Sequence, residues 1–133
     1  MSEQLSPFRI KQGRRVFDTF SAVNSFSFAL VTGNVITLYA LALGASSTVV
    51  GLLGSFLYAS FFAIPLGKFA LRRITLVKTF ANTWMIRTLS LIPLLFIPYF
   101  VAIGAGSAGI FALMLGVSLF NFFRGMGLIA NHP

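Results

Sequence analysis

An all-α protein that crosses a lipid bilayer four times is predicted by three observations. Hydrophobic residues make up 57% of the 133, sixteen of them phenylalanine, and charged residues only 9%. Mean hydropathy is +0.92, more apolar surface than a soluble domain of this length can hide in its core. Nine of the ten lysines and arginines are gathered in short bands before, midway along and after a series of four long apolar runs. A hydrocarbon layer of about 30 Å needs roughly 20 helical residues at about 1.5 Å each, and each run is about that long.

Residues 1–19 form a basic N-terminal segment in which "FRIKQGRRVF" suits a short amphipathic stretch along the headgroups, phenylalanines inward and arginines on phosphates. The first span, 20–43, follows. Its "ALA" at 40–42 mimics a secretory cleavage site, but its apolar part of about twenty-four residues exceeds the 7 to 15 or so of a signal peptide. "GASS" at 44–47 is an uncharged turn whose glycine and serines end one helix and start the next. The second span, 48–67, is apolar on every side in "VVGLLGSFLYASFFAIPLG". Only a helix satisfies such a backbone in lipid, since barrel strands would alternate over about ten residues. Its Gly51, Ser55 and Ala59 recur every fourth residue, a ladder that lets helices approach closely. A basic loop, 68–78, leads to the third span, 79–100, where Pro93 and Pro98 remove backbone donors and predict kinks. The uncharged "GAGSAG" at 104–109 turns the chain into the fourth span, 105–123, and residues 124–133 form a final segment.

The cations orient the spans. Arg9, Lys11, Arg14 and Arg15 precede the first; Lys68, Arg72, Arg73 and Lys78 lie between the second and third; Arg124 follows the fourth. Nine of ten thus fall on one side and none in the opposite turns, which places the N-terminus, the middle loop and the C-terminal end in the cytoplasm. The membrane is expected to be the inner (plasma) membrane. A net charge of +8 distributed in bands meets anionic lipid rather than a nucleic-acid groove.

Polar residues within the spans are the candidates for function. Asn24, Ser27, Val31, Asn34 and Thr37 follow steps of three and four and share one helical face. An unsatisfied amide in hydrocarbon costs several kcal/mol, of the order of 2–7, so the stripe is expected to meet other helices or a water-filled cavity. Interhelical hydrogen bonding and substrate contact both account for it. Arg87, in "NTWMIRTLSLIP", is the one cation outside the bands; nine residues beyond Lys78, it sits roughly 13 Å inward. Arginine there costs at least about 2.5 to 3.5 kcal/mol, so it should line a cavity, find a partner or snorkel, as an anion contact or half of an ion pair. Asp18 is the one acid in reach, and it also suits a helix N-terminus.

Several chemistries are excluded. There is no cysteine, and the single histidine, His132, is next to the last residue, so neither a disulfide framework nor a metal site is indicated. "GAGSAG" fits the dinucleotide pattern at Gly104, Gly106 and Gly109 but lacks the preceding strand and the later acid. With no nucleophile–base set and no carboxylate pair, no enzyme and no cofactor are expected.

With these residues in place, the chain resembles the N-terminal part of a major facilitator superfamily transporter. The family's loop between helices two and three reads Gly-x-x-x-Asp-Arg-x-Gly-Arg-Arg/Lys; here Gly67 and Arg72 fill the first and the arginine positions, while Leu71 and Ile74 replace the acid and the second glycine. The fourth-helix motif, an arginine followed by glycines and small residues, is matched by Arg124, Gly125, Gly127 and Ala130. The resemblance covers about residues 15–133 and implies four antiparallel helices of a six-helix N-terminal half, in a carrier that moves a small solute by alternating access. Asn24, Ser27, Asn34, Thr37 and Arg87 would then line the substrate cavity. The rest of the site, and a coupling ion where one is used, would be served by helices beyond a fragment that ends at "NHP", so the chain alone is not expected to transport. A complete four-helix exporter acting as a homo-oligomer is an alternative, although such exporters use an acid in helix one where this chain has asparagines. A membrane-assembly subunit is another.

Overall fold

The computed structural model describes residues 7–128. Every regular element among them is helical: α1 (Pro7–Thr32), α2 (Asn34–Ala42), α3 (Ser47–Ala59), a 3-10 turn (Ser60–Ala63), α4 (Ile64–Leu71), α5 (Leu76–Leu89), α6 (Ile92–Leu95), α7 (Ile97–Ala102) and α8 (Gly106–Leu128). End to end they build four helical rods, Phe8–Ala42, Ser47–Leu71, Leu76–Ala102 and Gly106–Leu128, each long and apolar enough to span a membrane. The rods outrun the spans read from hydropathy. Helix takes in the arginines at 9–15 and Lys68, and Arg124, Gly125 and Gly127 are part of α8, because a charge marks the edge of hydrocarbon without ending a helix.

Breaks within the rods have local causes. Thr32 Oγ1 donates to the Phe28 carbonyl at 2.7 Å, a back-bond that bends helices, and Gly33 follows as the extended N-cap of α2. Pro65, Pro93 and Pro98 each stand at the second position of a new helix, α4, α6 and α7. Proline has no N–H and its ring crowds the carbonyl four residues back; the chain tightens into three-residue turns near them, as in Leu94 N–H to Leu91 (3.0 Å) and Phe96 N–H to Pro93 (3.2 Å).

The two uncharged turns share one design. Gly44 and Gly104 adopt positive φ, 78° and 73°. After each, two bonds close the helix end: Gly44 N–H to Leu41 (2.9 Å) with Ala45 N–H to Ala40 (3.0 Å), and Gly104 N–H to Val101 (3.0 Å) with Ala105 N–H to Phe100 (2.8 Å). This is the Schellman closure, which glycine enters without a Cβ penalty. Ser46 then caps α3 by accepting from Val49 N–H at 3.4 Å.

α8 is the central rod, packed against α3, the 3-10 turn, α4, α5, α6 and α7. Its glycines set the approach. A Cβ on Gly125 would strike the Ser60 carbonyl, and one on Gly67 of α4 would strike the Met126 backbone. Along the third rod, Ile97 and Phe100 meet Gly109, Ser90 and Leu94 meet Gly116, and Thr83 and Trp84 meet Gly127. The first rod touches its neighbours more lightly, mainly through α3 and side chains of α1.

Burial runs opposite to that of a water-soluble protein. Phe62 is 85% exposed and Leu95 76%, whereas Thr79, Thr83, Arg87, Ser90 and Asn121 are buried beside Leu113, Val117 and Phe120. Apolar surface outside and polar groups within is the arrangement hydrocarbon favours, since polar groups find partners only inside the protein. The chain is therefore read as an integral membrane protein.

Candidate functional site

The polar interior converges where α1, α5 and α8 cross. On α5, Thr79, Thr83, Arg87 and Ser90 follow steps of four and three, so one face carries them all inward against α8. Two of the three hydroxyls are spent locally, Thr83 Oγ1 donating to the Thr79 carbonyl at 2.8 Å and Ser90 Oγ to the Arg87 carbonyl at 2.5 Å, while Thr79 Oγ1 is buried without a partner. Back-bonding of this kind lets threonine and serine sit in a helix interior without an external partner. Arg87 is left as the group that reaches across.

Arg87 is 3% exposed. Its Nη1 donates to Asn24 Oδ1 of α1 at 2.7 Å. The guanidinium lies between two rings, 4.1 Å from the Trp84 centroid and 4.2 Å from that of Phe120. Cation–π contacts contribute about 0.5 to 2 kcal/mol each and a hydrogen bond to a charged group about 1.5 to 3, which together match the insertion cost of a central arginine. Nε is buried with no partner. Phe20, one turn before Asn24, packs edge-on against Trp84 at 5.2 Å and against Phe80 at 5.8 Å, an aromatic cluster below the guanidinium.

A second arginine stands close by. Arg124 of α8, one turn beyond Phe120, places its guanidinium 3.9 Å from the Phe28 centroid on α1. Both guanidiniums are positive, so the two repel. Among the described residues no carboxylate joins them; Asp18 is exposed and makes no bond to Arg87, whose partner on α1 is the Asn24 amide instead.

A cavity of about 240 Å³ opens at this crossing, lined by Asn24, Ser27, Arg87 and Thr88 and by the rings of Phe20, Trp84 and Phe120. Three of the five cavity residues proposed from sequence thus come together. Thr37 lines a separate, smaller cavity of about 30 Å³, which includes Gly54 and Asn121. Asn34 is exposed and lines neither, because the break at Gly33 interrupts the helical register that would have kept it on the Asn24 face. Gly67 and Gly125 are backbone contact points, Gly127 lies against Thr83, and Arg72 is an exposed C-cap of α4. Ala130 and His132 lie outside the described residues.

Trp84 and Phe120 belong to the site, and Asn121 to the smaller cavity, without having been singled out by sequence pattern. Trp84 was within reach, being three residues before a buried arginine on the same helix. Asn121, 1% exposed, donates from Nδ2 to the Val117 carbonyl at 2.9 Å and leaves Oδ1 without a partner. Among the described residues no three metal-binding side chains gather. Compared with protein families, curated proteins and solved structures, the chain matches none of them.

Proposed function

We propose that this chain is the N-terminal part of a secondary transporter of the major facilitator type, carrying a small solute across the plasma membrane by alternating access. The single observation that carries the reading is Arg87, a buried cation in the interior of an apolar bundle, facing a cavity rather than an acid. Structural arginines in a membrane are ordinarily paired with an acid; this one meets an amide, two rings and a cavity, which leaves its charge for a ligand to neutralise.

Other features agree with it. The four spans run alternately up and down, a reading supported by the pairing of late third-rod residues with early fourth-rod residues and by the two matching glycine turns. The basic N-terminal segment, the Arg72–Arg73 loop and Arg124 then share the cytoplasmic side. The ladder Gly51, Ser55 and Ala59 is exposed, as suits a face awaiting further helices or a second copy.

The test is flux. In the full-length carrier of which this chain would be the N-terminal part, a thermal-shift screen of sugars, organic anions and drugs selects the compound that most raises the melting temperature, and its uptake is followed in proteoliposomes. Saturable uptake that falls at least tenfold in Arg87→Ala and less than twofold in Arg73→Ala is expected. Equal losses in the two variants would remove Arg87 from the site, and no saturable uptake would overturn the carrier reading.

A further inference from the structure

The cavity at the α1–α5–α8 crossing has a charge balance that narrows its ligand. Arg87 faces it, Arg124 stands one turn beyond its Phe120 wall, and no carboxylate neutralises either among the described residues. Arg87 spends Nη1 on Asn24, while Nε is buried and unpartnered. Nε and a neighbouring Nη of one guanidinium form the fork that grips a carboxylate with two parallel bonds. The remaining wall is mostly apolar, from the rings of Phe20, Trp84 and Phe120, with Asn24, Ser27 and Thr88 as its other polar residues. A sugar would find too few hydrogen-bonding groups for its hydroxyls, and a cation would meet two like charges. A doubly charged phosphate would leave one charge desolvated against the rings. At about 240 Å³ the space admits a one-ring acid.

We infer that the cavity binds a small organic carboxylate with a flat apolar body, its charge held by Arg87 and its body by the rings of Phe20, Trp84 and Phe120. The inference gives the substrate class of the proposed carrier and rests on that reading for its physiological sense; binding itself requires no flux. The same carboxylate or phosphate chemistry is offered by anionic lipid headgroups, so the two sources must be separated.

Trp84 is the only tryptophan in the chain and lies in the cavity wall, so its emission reads occupancy directly. The full chain in phosphatidylcholine nanodiscs is titrated at pH 7.5 and constant ionic strength with sodium benzoate and, separately, with benzamide, a neutral molecule of the same shape. Benzoate is expected to change the emission saturably, with benzamide at least tenfold weaker; Arg87→Gln weakens benzoate at least tenfold and Arg87→Lys less. Equal potency of benzoate and benzamide, or no saturable response to benzoate, overturns the inference. Because Arg87→Gln also removes the tie between α1 and α5, the benzoate–benzamide comparison on the unsubstituted chain decides even where that variant does not fold. Replacing a third of the lipid by phosphatidylglycerol should leave the benzoate midpoint within twofold; abolition of the response would assign the site to a lipid headgroup instead. Benzoate binding without uptake of any solute by the full-length carrier would overturn the carrier reading alone, and uptake of a neutral solute by it without benzoate binding would overturn this inference alone.

Discussion

At the scale of single residues, the two asparagines of the first rod have opposite surroundings despite equal chemistry. Asn24 accepts from Arg87, and Asn34 is exposed as the first residue of α2. Asn24 is half-buried and Arg87 buried; removing one partner of such a charged hydrogen bond costs about 1 to 3 kcal/mol, while a surface change stays within about 0.5. Asn24→Ala should therefore lower the melting temperature in detergent by several degrees, and Asn34→Ala should leave it almost unchanged. Asn24→Asp supplies the carboxylate the site lacks: it should raise the melting temperature above that of the unsubstituted chain and compete with benzoate at the guanidinium. A lower melting temperature for Asn24→Asp would mean that Arg87 is already neutralised by another group. Spacing alone put both asparagines on one stripe, and it did so by assuming an unbroken helix. The back-bond from Thr32 and the extended Gly33 end that register, and neither residue type is diagnostic of a break by itself. Arg87, by contrast, was legible at once, since one cation amid apolar neighbours requires a reason wherever the helix turns.

Elements were readable in number and order because a bilayer sets their length and their composition together. The two glycine turns and the proline breaks followed from backbone chemistry that is local to each residue. Which rod packs on which was not readable. The Gly51, Ser55 and Ala59 ladder has the spacing of a contact surface yet is exposed, while close approach is made by Gly67, Gly116, Gly125 and Gly127. Small residues permit approach without naming a partner. The distinction is measurable. Gly125→Val puts a side chain into the Ser60 carbonyl, so the 3-10 turn and α8 must separate; overpacking of this kind costs about 1 to 3 kcal/mol. Its melting temperature should fall clearly below that of Gly51→Ala, which adds a methyl where nothing lies within 4 Å and gains helix propensity of up to about 1 kcal/mol. Equal effects would show that α8 does not lie against the second rod in this way.

For the whole molecule, the decisive quantity is the side of the membrane on which each turn lies, and the free energies involved are set by charge. The exposed side chains of Lys68, Arg72, Arg73 and Lys78 cluster around the turn between α4 and α5. Carrying such a group of cations through hydrocarbon costs about 2.5 to 3.5 kcal/mol for each, whereas the glycine turns at Gly44 and Gly104 carry no charge and cross cheaply. Anionic lipid on the cytoplasmic leaflet adds about 1 kcal/mol per cation to the same preference. The chain has no cysteine, so single substitutions report without background. Ser47→Cys and Ser107→Cys, both in or beside the uncharged turns, should react in intact cells with a maleimide that cannot cross the membrane. Thr75→Cys, the N-cap of α5 in the basic turn, should react only after the cells are opened. Labelling of all three positions in intact cells would mean that the rods do not span. Reversed labelling would place the cations outside, and the Arg87 cavity would then be entered from the opposite face. If instead the pattern holds while Arg72→Glu and Arg73→Glu together reverse it in part of the population, the loop charges themselves set the orientation. That outcome would tie the arrangement of the entire bundle to the few cations between its second and third rods.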